Sequence, residues 1–335
     1  MLVNRQILLK SRPEGAPNAN HFELVQRDLP TIIGGQMLRR TLWLSVDPYM
    51  RARMSTAKSY LPPANVGEPM PGGTVSQVVA SNDPSFAAGD IVLGYDGWQE
   101  YAVGDGKGLR KIDPSKAPLS WHLGILGMPG LTAYVGLLDI GQPKAGETVV
   151  ISSAAGAVGS IAGQIAKLHG CRVIGIAGTV DKCAYVMGDL GFDDCINYRE
   201  EDLDSALKKA CPKGIDVYFD NVGGAVLDAV LKRINTHARI PLVGLIAEYN
   251  DEKPRPGPNL NPILTNRATM RGMIIIDHWD RYPPFLRDMA QWIAADQIHY
   301  REDVVEGLEN APRAFLGLFE GDNFGKRVVK VGDPK

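Results

Sequence analysis

The chain has 335 residues, 44% hydrophobic and 22% charged, enough for about two domains with ordinary cores, which excludes long disorder. Lys plus Arg number 36 against 38 Asp plus Glu, a net charge of −2, so no basic face for nucleic acid is expected. No apolar run reaches the ~18–20 residues of a membrane span, and MLVNRQILLKSRPEG carries no signal-peptide core, so a cytoplasmic protein without membrane partners is expected.

Residues 1 to about 120 are rich in Gly and Pro and read as short strands. HFELVQRD, QMLRRTLWLSV, GTVSQVVAS and GDIVLGYDGWQEYAV carry β-branched and aromatic residues between turn signals, with no helical period, and predict a twisted, partly closed β domain. The texture then changes to alternating strands and helices. TVVIS precedes a small-residue helix ending in LHG; RVIGIA precedes DKCAYVMGDL, closed by Gly191; a short strand near Cys195–Tyr198 precedes a charged helix through Leu203 to Ala210. IDVYFD, a helix from about Ala225, RIPLVGL, MIIID as a sixth strand, and a helix through Phe285 to Ala294 complete the series. Such alternation predicts right-handed βαβ units on a parallel sheet, whose strands are apolar on both faces. DEKPRPGPNLNP, residues 251–262, has four prolines and reads as an irregular loop on the substrate side. The tail, 300–335, reads as one helix (Ala311–Phe319) and one strand (Lys326–Val331) returning to the first domain. The expected fold is thus α/β, a doubly wound Rossmann sheet at 126–299 beside a β-rich domain at 1–125 completed by 300–335.

The four cysteines, Cys171, Cys183, Cys195 and Cys211, form no CxxC pair and read as free thiols in a reducing compartment.

One motif carries chemistry. The strand Thr148–Ser152 runs into Ser153-Ala154-Ala155-Gly156-Ala157-Val158-Gly159 and the helix Ser160–His169. This A-x-G-x-x-G turn lets the backbone approach a pyrophosphate, and the free N–H groups of the helix start bind its charge. Tight helix–strand packing alone also selects such glycines, but here the motif opens a series of alternating units. A site for NAD places an acidic residue at the end of the second strand, on the ribose 2′-OH. Here that strand ends in Gly178-Thr179-Val180, and Asp181 suits a helix N-cap. Lys182 stands where a 2′-phosphate would lie, and Tyr198 would cover it; the alternatives are a solvated helix lysine and a strand-end packing residue. The missing acid favours NADPH.

The run SSAAGAVGSIAGQIAKLHGCRVIGIAGTVDK resembles the nucleotide site of the medium-chain dehydrogenase/reductase superfamily. With Val46-Asp47-Pro48-Tyr49-Met50-Arg51, Gly127-Met128-Pro129-Gly130-Leu131-Thr132-Ala133-Tyr134, Phe219-Asp220-Asn221-Val222-Gly223-Gly224 and Asn323-Phe324-Gly325-Lys326, the whole chain is similar to the zinc-independent double-bond reductases: leukotriene B4 dehydrogenase/prostaglandin reductase, plant alkenal reductase and bacterial curcumin reductase. The resemblance implies a chaperonin-10-like β domain, NADPH, an α,β-unsaturated aldehyde or ketone as substrate, an active site between the domains, and a homodimer. It places Ala155, Gly156, Ala157 and Val158 at the pyrophosphate and Gly178, Lys182 and Tyr198 at the 2′-phosphate end. Asn221 reaches the cofactor from the sheet edge; Gly244, Leu245, Ile246 and Tyr249 line the nicotinamide side; Met273, Ile274 and Ile275 meet the carboxamide; Asn323 closes the site. Two departures, Glu248 ahead of Tyr249 and the proline-rich 251–262 loop, fall on the substrate pocket.

No cysteine precedes residue 171, His21 is isolated and His122 lies outside any His-Glu pair, so no catalytic zinc is expected. Conjugate reduction needs only hydride delivery to the β-carbon and hydrogen-bond donors on the developing enolate. Tyr249 and Tyr49 are the candidate donors, with an apolar wall as the alternative role for each. His278, Trp279 and Tyr282 read as a core or dimer-edge cluster rather than catalytic groups. The competing functions are a zinc-free quinone oxidoreductase and a cofactor-binding protein with a structural or sensing role.

Overall fold

The computed structural model describes residues 3–335. Two sheets organise the chain, and the local sequence explains each. The N-terminal strands are buried on much of both faces, and several inward residues, Asn4, Gln6, Arg39, Thr74, Ser76 and Gln77, are polar. They are β1 (Val3–Leu9), β2 (Phe22–Asp28), β3 (Met37–Ser45), β4 (Thr74–Ser81), β5 (Ile91–Gly94), β6 (Tyr101–Gly104) and β7 (Arg110–Ile112). β1 and β2 form a separate antiparallel pair. The larger sheet runs β14-β15-β3-β4-β5-β7, with β6 also on β3, where β14 (Glu302–Glu306) and β15 (Lys326–Lys330) come from the tail. The short helix α1 (Met50–Arg53) follows β3. Trp98, fully buried, stacks on Phe22 at 5.6 Å and meets Phe315 of the tail edge-on at 5.8 Å, so the tail shares this core.

The second sheet has the strand order β10-β9-β8-β11-β12-β13, all parallel. Its strands are β8 (Thr148–Ser152), β9 (Arg172–Ala177), β10 (Asp194–Asn197), β11 (Ile215–Phe219), β12 (Ile234–Leu242) and β13 (Thr269–Gly272). α2 (Met128–Val135) leads into it, and α3 (Gly159–Leu168), α4 (Val180–Gly188), α5 (Leu203–Ala210), α6 (Gly224–Leu231), α7 (Asn261–Thr265) and α8 (Tyr282–Ala294) follow its strands; α9 (Ala311–Glu320) belongs to the tail. The order reverses between β8 and β11, and the crevice outside the carboxyl ends of those strands is where such sheets bind ligands.

Four local expectations are corrected. The sixth strand is Thr269–Gly272, not MIIID: Met273 N–H still donates to Leu242 O, and then the chain leaves the ladder into a 3₁₀ turn at Ile275–Arg281. An edge strand tolerates the polar TMRG, and the apolar run serves a cleft wall instead. The fifth strand begins at Ile234 and ends at Leu242, so Val243–Leu245 lie beyond it. The N-cap of α4 is Thr179, whose Oγ1 accepts from Lys182 N–H at 3.2 Å in extended backbone (φ −147°, ψ 156°); Asp181 sits in the first turn. The proline-rich loop is irregular to Leu260, but Asn261 and Pro262 open α7, where a proline is tolerated.

Candidate active site

A cleft of about 1150 Å³ runs between the two sheets. Its cofactor-sized half begins at the turn after β8. Ser153 adopts φ +52°, and a Cβ on Gly159 would lie 2.3 Å from Ser153 O, so only glycine lets α3 start this close to the strand. Ala155, Gly156, Ala157 and Val158 line the cleft there, ahead of the N-terminus of α3, whose free N–H groups favour an anion. The tail holds this turn from the other domain: Gly325 N–H donates to Ala155 O at 2.9 Å, and Gly156 bridges Gly325.

Asn221, just past β11, is locked to the same strand end. Its N–H donates to Ser152 Oγ (2.8 Å) and its Nδ2 to Ser152 O (2.7 Å). Beneath lies the fully buried Asp220, whose Oδ1 accepts from Tyr218 Oη (2.8 Å) and from Val222 and Gly223 N–H (2.9 Å each). Burial raises its pKa, and these donors oppose the rise.

At the end of β9 no carboxylate faces the cleft. Gly178 is covered by Tyr198, whose Cε1 would stand 3.1 Å from a Cβ there. Lys182 is half-buried and its Nζ donates to Gly321 O at 2.7 Å; Arg199 Nη2 donates to Glu320 O at 2.7 Å. Neither cation pairs with a carboxylate among the described residues, and burial first, then Arg199, lowers the Lys182 pKa. Two neighbouring cations held on helix-end carbonyls, neither in an ion pair, fit the 2′-phosphate of NADPH better than a bare ribose hydroxyl.

Farther along the cleft, Gly244, Ile246, Tyr249, Met273, Ile274, Ile275 and Asn323 form a wall. Leu245 is not in it: its Cδ2 lies over Gly223, 2.6 Å from where a Cβ would stand. Asn323 Nδ2 is held by Gly325 O at 3.0 Å. Opposite, the β-rich domain contributes Tyr49, Tyr60 and Tyr95, with the Tyr49 and Tyr95 hydroxyls in hydrogen-bond contact. Burial raises all four tyrosine pKa values, Tyr60 to about 12 and Tyr49 furthest, so the hydroxyls stay protonated donors near neutral pH. Tyr249 Oη accepts weakly from Leu245 N–H (3.4 Å), leaving its proton free to donate. Behind the cleft, the buried Arg51 donates to Asn250 Oδ1 (3.2 Å) and Gly15 O (2.7 Å), and so ties the loop of Tyr249 to the segment of Tyr49.

Sequence reasoning missed Tyr60, Tyr95, Arg199, Arg110 and His122, all of which line the cleft. The available signal was aromatic residues inside the glycine- and proline-rich SYLPP and GYDG loops. Trp279 and Tyr282 both line the cleft, and the mostly buried Tyr282 donates its hydroxyl to Leu126 O at 2.7 Å. Among the described residues no group of three or more His, Cys, Asp or Glu side chains is placed to hold a metal ion.

Residues 5–112 match the family model for the N-terminal domain of oxidoreductase, and 157–291 the model for zinc-binding dehydrogenase. The chain is 52% identical to the NADPH-dependent curcumin reductase of Escherichia coli (strain K12), over 98% of this chain and 97% of the relative. It is 42% identical to the 2-alkenal reductase (NADP(+)-dependent) of Nicotiana tabacum over 98% and 97%. The crystal structure of CurA in complex with NADPH from Vibrio vulnificus superposes with a TM-score of 0.95 at 53% identity, covering 98% of this chain and all (100%) of that one.

Proposed function

The chain belongs to the zinc-independent medium-chain dehydrogenase/reductase family of the curcumin, alkenal and prostaglandin reductases, and from that membership we propose how its cleft works. It is an NADPH-dependent oxidoreductase that reduces the C=C bond of α,β-unsaturated aldehydes or ketones. The observation that carries this reading is one cleft with two cations free of ion pairs at one end and tyrosine hydroxyls held protonated at the other.

NADPH supplies the hydride. Ala155 to Val158 hold its pyrophosphate, Gly178, Lys182 and Tyr198 its 2′-phosphate end, with Arg199 added from the structure. Asn221, Gly244, Ile246, Met273, Ile274, Ile275 and Asn323 seat the nicotinamide side, and Leu245 acts from behind by packing on Gly223. Tyr249 donates to the carbonyl oxygen as the β-carbon is reduced, where negative charge develops. Tyr49 shares that role through its contact with Tyr95.

The working division is a catalytic β-rich domain, 1–125 with 300–335, against a cofactor domain, 126–299; the two sheets support it. Four buried, free cysteines suit the reducing cytoplasm, and the family resemblance suits a homodimer. The test is product analysis with NADPH deuterated at the transferable position. Deuterium at the β-carbon of a saturated aldehyde is expected; an allylic alcohol carrying it at the carbonyl carbon overturns the reading.

A further inference from the structure

Asp220, the residue after β11, is fully buried and does not line the cleft, yet most of its polar partners do. Its Oδ1 accepts from Ser152 Oγ (3.2 Å), from Val222 and Gly223 N–H (2.9 Å each) and from Tyr218 Oη (2.8 Å). Its backbone oxygen accepts from Val243 N–H (2.8 Å) and Gly244 N–H (3.1 Å). Of these donors only Tyr218 stands outside the cleft wall. The others come from the end of β8, the turn between β11 and α6, and the segment after β12, so one buried residue joins the strand ends at the switch point of the sheet.

Ser152 passes the link on. Its hydroxyl proton has Asp220 Oδ1 at 3.2 Å and Phe219 O at 3.3 Å, and its Oγ accepts from Asn221 N–H at 2.8 Å. Asn221 Nδ2 donates back to Ser152 O at 2.7 Å. The side chain of Asp220 thus fixes Ser152, and Ser152 fixes the backbone and amide of Asn221. Four donors converge on Oδ1, whereas Oδ2 meets no partner. That suits the ionised form, since a proton on Oδ2 would find no acceptor, and hydrogen bonds to an anion are about twice as strong as neutral ones. The 2′-phosphate end is built separately: Lys182 and Arg199 are held by Gly321 O and Glu320 O of the tail.

We propose that Asp220 is a positioning residue for the nicotinamide half of the cofactor. Without touching the cofactor, its carboxylate sets the end of β8, the Asn221–Gly223 turn and, through Ser152, the orientation of Asn221. This inference rests on the cofactor placement proposed above and deepens it.

The test compares two ligands on each full-length enzyme by isothermal titration: NADPH, and adenosine 2′,5′-bisphosphate, which has the adenosine and the 2′-phosphate but no nicotinamide. Asp220→Asn keeps the size of the side chain and removes its charge. It should raise the NADPH dissociation constant roughly tenfold and change that of the bisphosphate by less than about twofold. Tyr218→Phe removes one of the donors and keeps the ring; it should shift the NADPH-to-bisphosphate ratio of constants at least about threefold in the same direction. With NADPH saturating, kcat for an enone should also fall in Asp220→Asn, because hydride delivery depends on the seat of the ring. Equal weakening of both ligands overturns the proposal, since Asp220 would then only hold the domain together. A ratio within about twofold of the parent's overturns it as well. Should Asp220→Asn not fold, the ratio in Tyr218→Phe decides by the same limits. Asn221→Ala, measured alongside, separates the two readings: an unchanged NADPH constant there overturns the cofactor placement and the proposal with it, whereas a change there with none in Asp220→Asn overturns the proposal alone.

Discussion

Replacing Lys182 separates a phosphate ligand from a lysine that merely braces the tail. The side chain is half-buried, its ammonium lies 2.7 Å from Gly321 O, and Arg199 stands near enough to lower its pKa. Lys182→Met keeps most of the apolar stem and removes only the charge. A charge-assisted hydrogen bond to phosphate contributes ~1.5–3 kcal/mol, so the NADPH dissociation constant should rise roughly 10- to 150-fold. Arg199 remains to hold part of the phosphate, which places the expected effect toward the lower end. NADH lacks that phosphate, and its dissociation constant should change by less than about threefold, the scale of a minor packing change. Isothermal titration of both cofactors measures the two constants directly. Added salt should narrow the parent's preference for NADPH more than that of the variant, because the lost term is electrostatic. Equal weakening of NADPH and NADH would refute the reasoning: Lys182 would then act only by anchoring Gly321 of the tail, which also reaches the pyrophosphate turn through Gly325.

Other expectations follow from the same geometry. Tyr249→Phe removes one donor and keeps the ring, so kcat should fall by up to roughly 10²–10³ with NADPH affinity nearly unchanged; a fall within about twofold would make it a wall residue. Because burial raises the Tyr249 pKa, the parent rate should not decline through ionisation of this tyrosine up to about pH 9, which a pH profile of kcat checks. Gly159→Ala would place a Cβ 2.3 Å from Ser153 O, a backbone atom that cannot swing away; a stability loss of ~1–3 kcal/mol in urea unfolding and weaker binding of both cofactors are expected. His122 has a folded pKa of about 4 against an ordinary 6.5, so the unfolded chain takes up the proton first; stability is lost as pH falls from about 6.5 to 4, and His122→Gln should lessen that drop in Tm.

The residues the sequence singled out for the cofactor are local to one part of the chain. The A-x-G-x-x-G turn, the acid-free end of β9 and Lys182 lie within one strand–turn–helix unit and the strand after it, and each residue's task follows from its place in that unit. Periodicity also gave the parallel strands, whose buried runs are near-continuous. It failed where exposure reversed the rule. TMRG is polar because β13 is an edge strand, and Met273–Ile275 are apolar because they line the cleft. β14, EDVVE, escaped for the same reason, being a charged edge strand whose pairing with β15 only the tail's return creates.

The substrate half was hidden for a different reason. Tyr60, Tyr95, Arg110 and His122 come from four separate stretches of the β-rich domain and its exit, and no period or spacing links them. What identifies them is an outcome of packing: hydroxyls kept protonated by burial, and an arginine and a histidine enclosed without partners. A sequence records donors but not whether folding leaves them unsatisfied. The β-rich side of the cleft is thus built from connecting segments, among them those of Tyr49, Tyr60 and Tyr95, while the opposite side is built on the strand ends of the parallel sheet.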